Sequence, residues 1–307
     1  RGDSGAINQA LEVIADRKAD AGKRAEYVRL MGEANAPSAV PVLLALLTAD
    51  EPEPIQKAAL GSVLRYDDAT IGQQVLVFVP KAGASVRESA ISTLVSRPAW
   101  TQSLLAKIEA NALDKSVVTR SNLQKIRHYK DDNILRKADQ LWWPAGQEDA
   151  SQQKFDVKRI EELVLTGSGD PYAGKVVFNE RCRKCHVLFG KGENIGPDLT
   201  SYKRDDFKTM AQSVVSPSSE IREGYENQLV STTDGRLLNG FLLNQDDQTI
   251  VLKTADNQTI TLPRLEIDEI GAQKQSLMPD GLLAGLNDQQ TRDLFAYLRT
   301  TQPLADE

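Results

Sequence analysis

The chain has 307 residues, of which 40% are hydrophobic and 26% are charged, and its formal net charge is −6 at pH 7. This length exceeds what one compact core usually serves, so we expect two structural units with buried cores of their own. The acidic balance argues against a nucleic-acid-binding surface, and no apolar run reaches the roughly 18 residues that suggest a transmembrane helix.

The first predicted unit is helical and spans residues 1–145. Amphipathic patterns at helical spacing recur between Ile7 and Trp142. Two of them, beginning at Ile55 and Val86, share apolar positions 31 residues apart, which is typical of HEAT-like helical repeats. Other antiparallel helix pairs would give the same signal. The clearest patterns cover residues 39–47, 55–64, 86–95 and 104–108.

A polar linker is predicted to follow. Trp142-Trp-Pro ends the helical pattern, and residues 145–153 are mostly polar. We therefore place a linker at residues 146–165, with the boundary near residue 150, and a second unit at residues 166–307.

Residues 182–186, Cys-Arg-Lys-Cys-His, carry the most specific motif. The whole chain holds two Cys and two His, and three of these four residues lie here. In covalent haem attachment, two thiols at this spacing bind the vinyl groups of the haem while the imidazole binds its iron. The motif predicts one haem c held by Cys182, Cys185 and His186.

Two other interpretations of the motif remain open. A structural zinc site normally needs four Cys or His ligands, and only His128 is left to complete such a set. A thioredoxin-like redox pair would follow a buried strand, and no apolar strand pattern precedes residue 182.

The flanks of the motif predict two packed helices. Gly174, Phe178 and Cys182 recur every four residues and therefore share one helix face. A C-terminal helix is the expected partner, beginning at a capping pair of Asn287 and Gln290. Gly174 would allow the two helices to approach closely. The apolar residues predicted on the second helix are Leu294, Tyr297 and Leu298.

A β insertion is predicted at residues 225–271, before Met278. Alternating or apolar runs separated by turns such as Asp234-Gly235 describe a β-meander. We expect a small β-barrel or curled sheet that covers the haem or offers a docking surface. The predicted strands cover residues 228–233, 237–243, 249–254 and 259–262.

In this order, the motifs resemble those of the class I c-type cytochromes. The matching features are Gly-x-x-x-Phe-x-x-x-Cys-x-x-Cys-His, Gly196-Pro197, Met278-Pro279 and the terminal run 293–299. More narrowly, residues 189–200 and 276–282 are similar to a haem-binding domain of planctomycetes and verrucomicrobia. In that group the domain often ends large secreted proteins, after helical repeats and sometimes after a propeller-type sugar dehydrogenase. The resemblance covers about residues 165–302.

This resemblance implies the fold and the remaining ligands. The fold would be mainly α with a small β insertion: an N-terminal HEAT-like α-solenoid, then a cytochrome c fold. Met278 would supply the axial thioether, and the Pro197 carbonyl would accept the other ring N–H of His186. Met278 lies 92 residues after His186, more than a compact haem unit needs, and the predicted β insertion accounts for the excess. A simple Gly-Pro turn is the alternative for Pro197. Other possible iron ligands are Met31, Met210 and His128, of which Met210 has the spacing of a core residue.

A His/Met haem implies an electron carrier rather than an enzyme. The expected donor is an extracytoplasmic dehydrogenase domain or partner, and the acceptor another cytochrome or the respiratory chain. Because thioether attachment occurs outside the cytoplasm, we expect an exported, periplasmic protein. The start at Arg1 suggests a processed chain or a C-terminal fragment. A basic rim around the motif would steer an acidic partner, and a solvated mixed surface is the alternative. Its members are Arg181, Arg183, Lys184 and Lys191.

Two further functions are conceivable for the same residues. A helical-repeat scaffold with a redox- or ligand-sensing haem would leave one coordination position of the iron open. A peroxidase would need that open position and a distal acid–base group, and the haem half has no histidine beyond His186.

Overall fold

A computed structural model describes residues 4–34, 36–48, 50–143 and 157–305. In these ranges the chain forms thirteen α-helices and one open antiparallel sheet of five strands. A mainly α fold with a small β part is thereby confirmed. Across the same ranges, no helix combines the length and the apolar character that a membrane span requires.

The N-terminal unit stacks its helices in two layers. In the described part of residues 4–143 there are nine α-helices: α1 (Ser4–Ala15), α2 (Ala21–Ala34), α3 (Val40–Ala45), α4 (Glu53–Val63), α5 (Ala69–Phe78), α6 (Ala84–Leu94), α7 (Pro98–Glu109), α8 (Arg120–Ile126) and α9 (Asp132–Trp142). Helices α2, α4 and α6 contact one another in turn, and α3, α5, α7 and α9 do so in the other layer. The layers meet through consecutive pairs such as α3 with α4 and α5 with α6.

The two sequence copies that lie 31 residues apart are α4 and α6, neighbours in one layer. Their equivalent residues Ile55 and Val86, and likewise Leu60 and Ile91, are fully buried in the same core. Burying each such side chain stabilises the fold by about 1.5–3 kcal/mol. The repeated sequence pattern therefore corresponds to equivalent core positions in α4 and α6. The HEAT-like assignment stays a prediction.

The sheet is a meander with one added strand. Its strands are β1 (Asn227–Thr232), β2 (Leu237–Gln245), β3 (Thr249–Lys253), β4 (Thr259–Pro263) and β5 (Ile267–Ala272), in the spatial order β4-β3-β2-β1-β5. Register shifts at Ser231/Thr232 and Leu242/Asn244 interrupt the ladders. The predicted meander is confirmed. The alternative of a closed barrel is wrong for the described residues, because β4 and β5 are the two edges of an open sheet.

The sheet packs against the helical unit at the turn between β1 and β2. Leu237 donates its backbone N–H to the Ser96 carbonyl at 2.7 Å, and its side chain joins the helical core. Arg97, which is buried, binds the Asp234 carboxylate at 2.8 Å. The buried guanidinium of Arg236 binds the other oxygen of the same carboxylate at 2.9 Å. Asp234 is therefore shared between the two units.

The helices of the second unit surround one apolar core. They are α10 (Val157–Leu165), α11 (Pro171–Arg181), α12 (Phe207–Val215) and α13 (Asp288–Leu298). At Gly174 of α11, an added Cβ would collide with the Asp293 carbonyl of α13. The predicted close approach of these helices is confirmed, as is the capping box of Asn287 and Gln290.

Helix α10 differs from the predicted linker at residues 146–165. Ile160 and Val164 lie one turn apart and are both buried in the core of the second unit. Sequence reasoning missed this helix because only two buried positions define its apolar face, and charged residues lie between them. Residues 144–156, with the predicted boundary near residue 150, lie outside the described residues.

Candidate functional site

Helix α11 delivers the Cys-x-x-Cys-His motif to the site. It begins at Pro171, after Asp170, whose carboxylate accepts the Tyr172 N–H at 2.9 Å and caps the helix. Cys182 ends the helix. The N–H groups of Cys185 and His186 then donate to the Cys182 carbonyl at 3.0 Å, which closes one further turn. The motif is therefore folded on one turn.

The two cysteines are not disulfide-bonded and pack against different apolar clusters. Cys182 lies against the core shared by α11 and α13. Cys185 lies against a cluster of Ile195, Phe241 and Leu277. The two cysteines thus connect the helical core with a second cluster, to which the sheet contributes Phe241.

Both thiols are protonated at neutral pH. Burial raises the pKa of Cys182 to about 12 and that of Cys185 to about 11. A redox-active pair instead keeps a thiolate, whose pKa is lowered by a helix N-terminus or a nearby cation. Cys182 stands at the C-terminal end of α11. This environment disfavours the thioredoxin-like interpretation.

The imidazole of His186 is buried and held in one orientation. Its Nδ1 lies 2.9 Å from the Pro197 carbonyl oxygen. Because a carbonyl only accepts, Nδ1 carries the proton and the lone pair is on Nε2. Burial lowers the pKa of His186, and the bond to Pro197 opposes this in part, so the ring is neutral at pH 7. Within the described residues, Nε2 has no hydrogen-bond partner.

The segment Glu193–Pro197 folds back over the motif. Ile195 and Gly196 donate their N–H groups to the Cys185 carbonyl at 3.1 and 2.7 Å. Gly196 lies flat against the imidazole, since an added Cβ would be 2.6 Å from Cε1 of His186. The sequence pattern indicated Pro197 only through a resemblance. No signal in the sequence singled out the backbone contacts of residues 193–196.

The loop that contains Met278 approaches the motif through its neighbour. Leu277 belongs to the cluster against which Cys185 packs, and Met278 itself is half-buried. The Met278 N–H donates to Ser276 Oγ at 3.1 Å, which fixes the backbone before Pro279.

The other possible iron ligands lie elsewhere. Met31 is buried in the core of the helical unit, and His128 is exposed in the turn after α8. Met210 packs against the core of the second unit, as its spacing predicted. Throughout the described ranges, no group of three or more His, Cys, Asp or Glu side chains is arranged to hold a metal ion.

The predicted basic rim is exposed. All four of its members are exposed to solvent: Arg181, Arg183, Lys184 and Lys191.

No family model and no curated protein matches this chain. The assignment of function therefore depends on the site itself rather than on relatives.

Proposed function

We propose that the chain is an electron-transfer module that carries one covalently attached haem c and is not itself an enzyme. The observation that supports this most strongly is the state of His186. Its Nδ1 is bound to Pro197, its Nε2 has no hydrogen-bond partner among the described residues, and two unpaired thiols lie within the same turn. Covalent haem binding requires two free thiols for attachment and one imidazole nitrogen for the iron, and these residues provide them.

Each residue of the site has a separate task. The thiols of Cys182 and Cys185 would hold the haem through thioether bonds to its two vinyl groups, and His186 would bind the iron through Nε2. Met278 is the residue proposed to supply the second protein ligand. When bound, the haem supplies a one-electron couple, which His/Met ligation sets at a higher potential than two histidines would.

The protein's own contribution is orientation and burial. Pro197 fixes the tautomer and plane of the imidazole and increases its basicity as a ligand. The glycine at 196 leaves room for the ring in this orientation, since a Cβ there would lie 2.6 Å from its Cε1. The apolar clusters on both sides of the motif limit access of water, which is one of the ways in which proteins tune a haem potential.

The wider assignment follows the resemblance to class I c-type cytochromes. We propose a cytochrome c fold for the second unit, a HEAT-like solenoid for the first, and an extracytoplasmic, periplasmic location. An extracytoplasmic dehydrogenase would donate electrons, and a cytochrome or the respiratory chain would accept them. The exposed basic residues around the motif suit an acidic partner surface, because such a rim accelerates encounter at low salt.

Production in a host competent for haem attachment tests this proposal. We expect the purified protein to be coloured, to carry the mass of one haem, and to lose both in a C182A/C185A variant. In the ferric state a weak band near the red edge should disappear in M278A. It should persist in M210A, since Met210 packs in the core. A colourless parent protein would refute the proposal.

A second function is a helical-repeat scaffold whose haem senses redox state or a ligand. The layered helices support it, since they leave an open groove between α3 and α5, lined by residues such as Val40, Leu44 and Thr70. Carbon monoxide separates the two functions. Rapid uptake by the reduced protein at neutral pH would indicate an open iron position, whereas an electron carrier bound by Met278 would resist it.

A further inference from the structure

The orientation of His186 depends on a short segment, Glu193–Pro197, that has no regular secondary structure. This segment supplies Pro197 to the ring nitrogen and Gly196 to the ring face. Two of its N–H groups bind the Cys185 carbonyl. Whatever holds this segment in place therefore holds the imidazole.

The inserted sheet makes two polar contacts with this segment. Asn257, in the turn between β3 and β4, donates from Nδ2 to the Glu193 carboxylate at 2.6 Å. Lys253, at the end of β3, donates from Nζ to the Asn194 carbonyl. One contact involves a carboxylate and the other an ammonium group, which makes them stronger than hydrogen bonds between neutral groups.

The turn that carries Asn257 is itself well fixed. Thr254 and Gln258 close it with a hydrogen bond of 2.9 Å, and the Thr254 hydroxyl binds the Asp256 carboxylate at 2.6 Å. Asn257 has φ of 63°, a left-handed conformation that asparagine tolerates better than most residues. On its other side the turn contacts the helical unit, where Gln258 lies against Gly61 of α4.

We propose that the turn between β3 and β4 is a positioning element for the axial histidine. Asn257 and Lys253 hold the segment Glu193–Pro197 against the motif, and that segment sets the plane of the His186 ring. This inference rests on the proposed haem function. It gives the β insertion a role at the iron that extends beyond covering the haem, and it links the helical unit to the ligand through a continuous set of contacts.

An N257G variant tests the proposal, because glycine retains the left-handed backbone and removes only the side-chain amide. Asn111, with φ of 53° at the end of α7, offers a matched control in N111G. We expect the low-spin ferric electron paramagnetic resonance signal to shift in N257G and to remain at the parental position in N111G. An unchanged signal in N257G would overturn the proposal.

A second measurement does not depend on the haem. Loss of a hydrogen bond to a charged group should accelerate amide hydrogen exchange at Ile195 and Gly196 by about tenfold or more in N257G. An E193A variant should show the same acceleration, whereas E193Q, which keeps an acceptor oxygen, should restore protection. If the parent protein is colourless but N257G still accelerates amide exchange at Ile195 and Gly196, the haem function alone is refuted. If the protein is coloured but N257G leaves both the amide exchange rates and the electron paramagnetic resonance signal unchanged, the positioning role alone is refuted.

Discussion

The ring of His186 has two close neighbours, Pro197 and Gly196. The Pro197 carbonyl lies 2.9 Å from Nδ1, and a Cβ added at Gly196 would lie 2.6 Å from Cε1 of the ring. A glycine is required at 196 because a Cβ would overlap the imidazole, whereas its backbone conformation is not of the left-handed type. The constraint is therefore one of space.

We expect G196A to displace the imidazole and weaken its bond to Pro197. Overpacking of this kind typically costs about 1–3 kcal/mol of unfolding free energy. Urea denaturation of the apo-protein measures it. The control is G271A, because a Cβ at Gly271 in β5 meets nothing within 4 Å. Equal stability of the two variants would contradict the close contact.

Sequence reasoning identified some of the residues around His186 and missed others. Cys182, Cys185 and His186 are close in sequence, so their spacing alone predicts a shared site, and Pro197 lies only 11 residues after His186. Glu193 and Asn257 are 64 residues apart and meet only because the sheet folds over the motif. A single polar pair across such a distance leaves no periodic pattern, and sequence reasoning therefore missed it.

At the scale of elements, the contact between α11 and α13 sets how closely the two helices of the second unit can pack. Phe178 and Tyr297 meet edge to face at 5.4 Å between ring centroids, beside the point where Gly174 contacts the Asp293 carbonyl. Edge-to-face aromatic pairs add about 0.5–1.5 kcal/mol beyond their buried area. Separation of the two helices would lose this pair as well.

We therefore expect G174A to destabilise the protein, although alanine is the better helix former. The added Cβ would push the helices apart at backbone atoms that cannot move aside. The control is G22A in the first turn of α2, where a Cβ meets a side-chain oxygen of Asp20 at 3.1 Å and no backbone atom. Thermal unfolding should show a lower midpoint for G174A and an unchanged or higher one for G22A. A higher midpoint for G174A would contradict the close approach.

The elements with strong periodicity were predicted well and the weakly patterned ones were not. Strands β1–β4 and helices α4, α6 and α13 carry clear apolar repeats, and the structure places each within a few residues of its prediction. Strand β5 was missed because it is an edge strand with mostly exposed side chains, so its sequence does not alternate. The open form of the sheet could not be predicted, since closure depends on which edges pair.

At the scale of the whole molecule, Asp234 connects the sheet to the helices. Burial alone would raise the pKa of Asp234, but hydrogen bonds from Thr232, Arg236 and Arg97 outweigh it and hold the pKa at about 2. The folded-state pKa is thus below the ordinary aspartate pKa of 3.8. The resulting stabilisation is complete above about pH 4 and is lost as the pH falls through about 2.

We expect D234N to lower stability at neutral pH, because two buried guanidinium groups lose their shared counter-ion. The variant should also show a weaker loss of stability between about pH 4 and 2 than the parent. Urea unfolding across that range measures both effects. D67N is the control, since Asp67 lies 3.6 Å from Arg97 but is 83% exposed. An identical acid profile in D234N and the parent would disprove the shared role.

The entry of Leu237 into the helical core has a consequence for dissecting this protein. A recombinant fragment that stops at residue 143 would lack the Leu237 side chain and the N–H that donates to the Ser96 carbonyl. The apolar surface that Leu237 covers would be exposed, and the fragment would be prone to aggregation. The strand that carries Leu237 belongs to the second unit, so a cut between the two units would separate the helical core from one of its members.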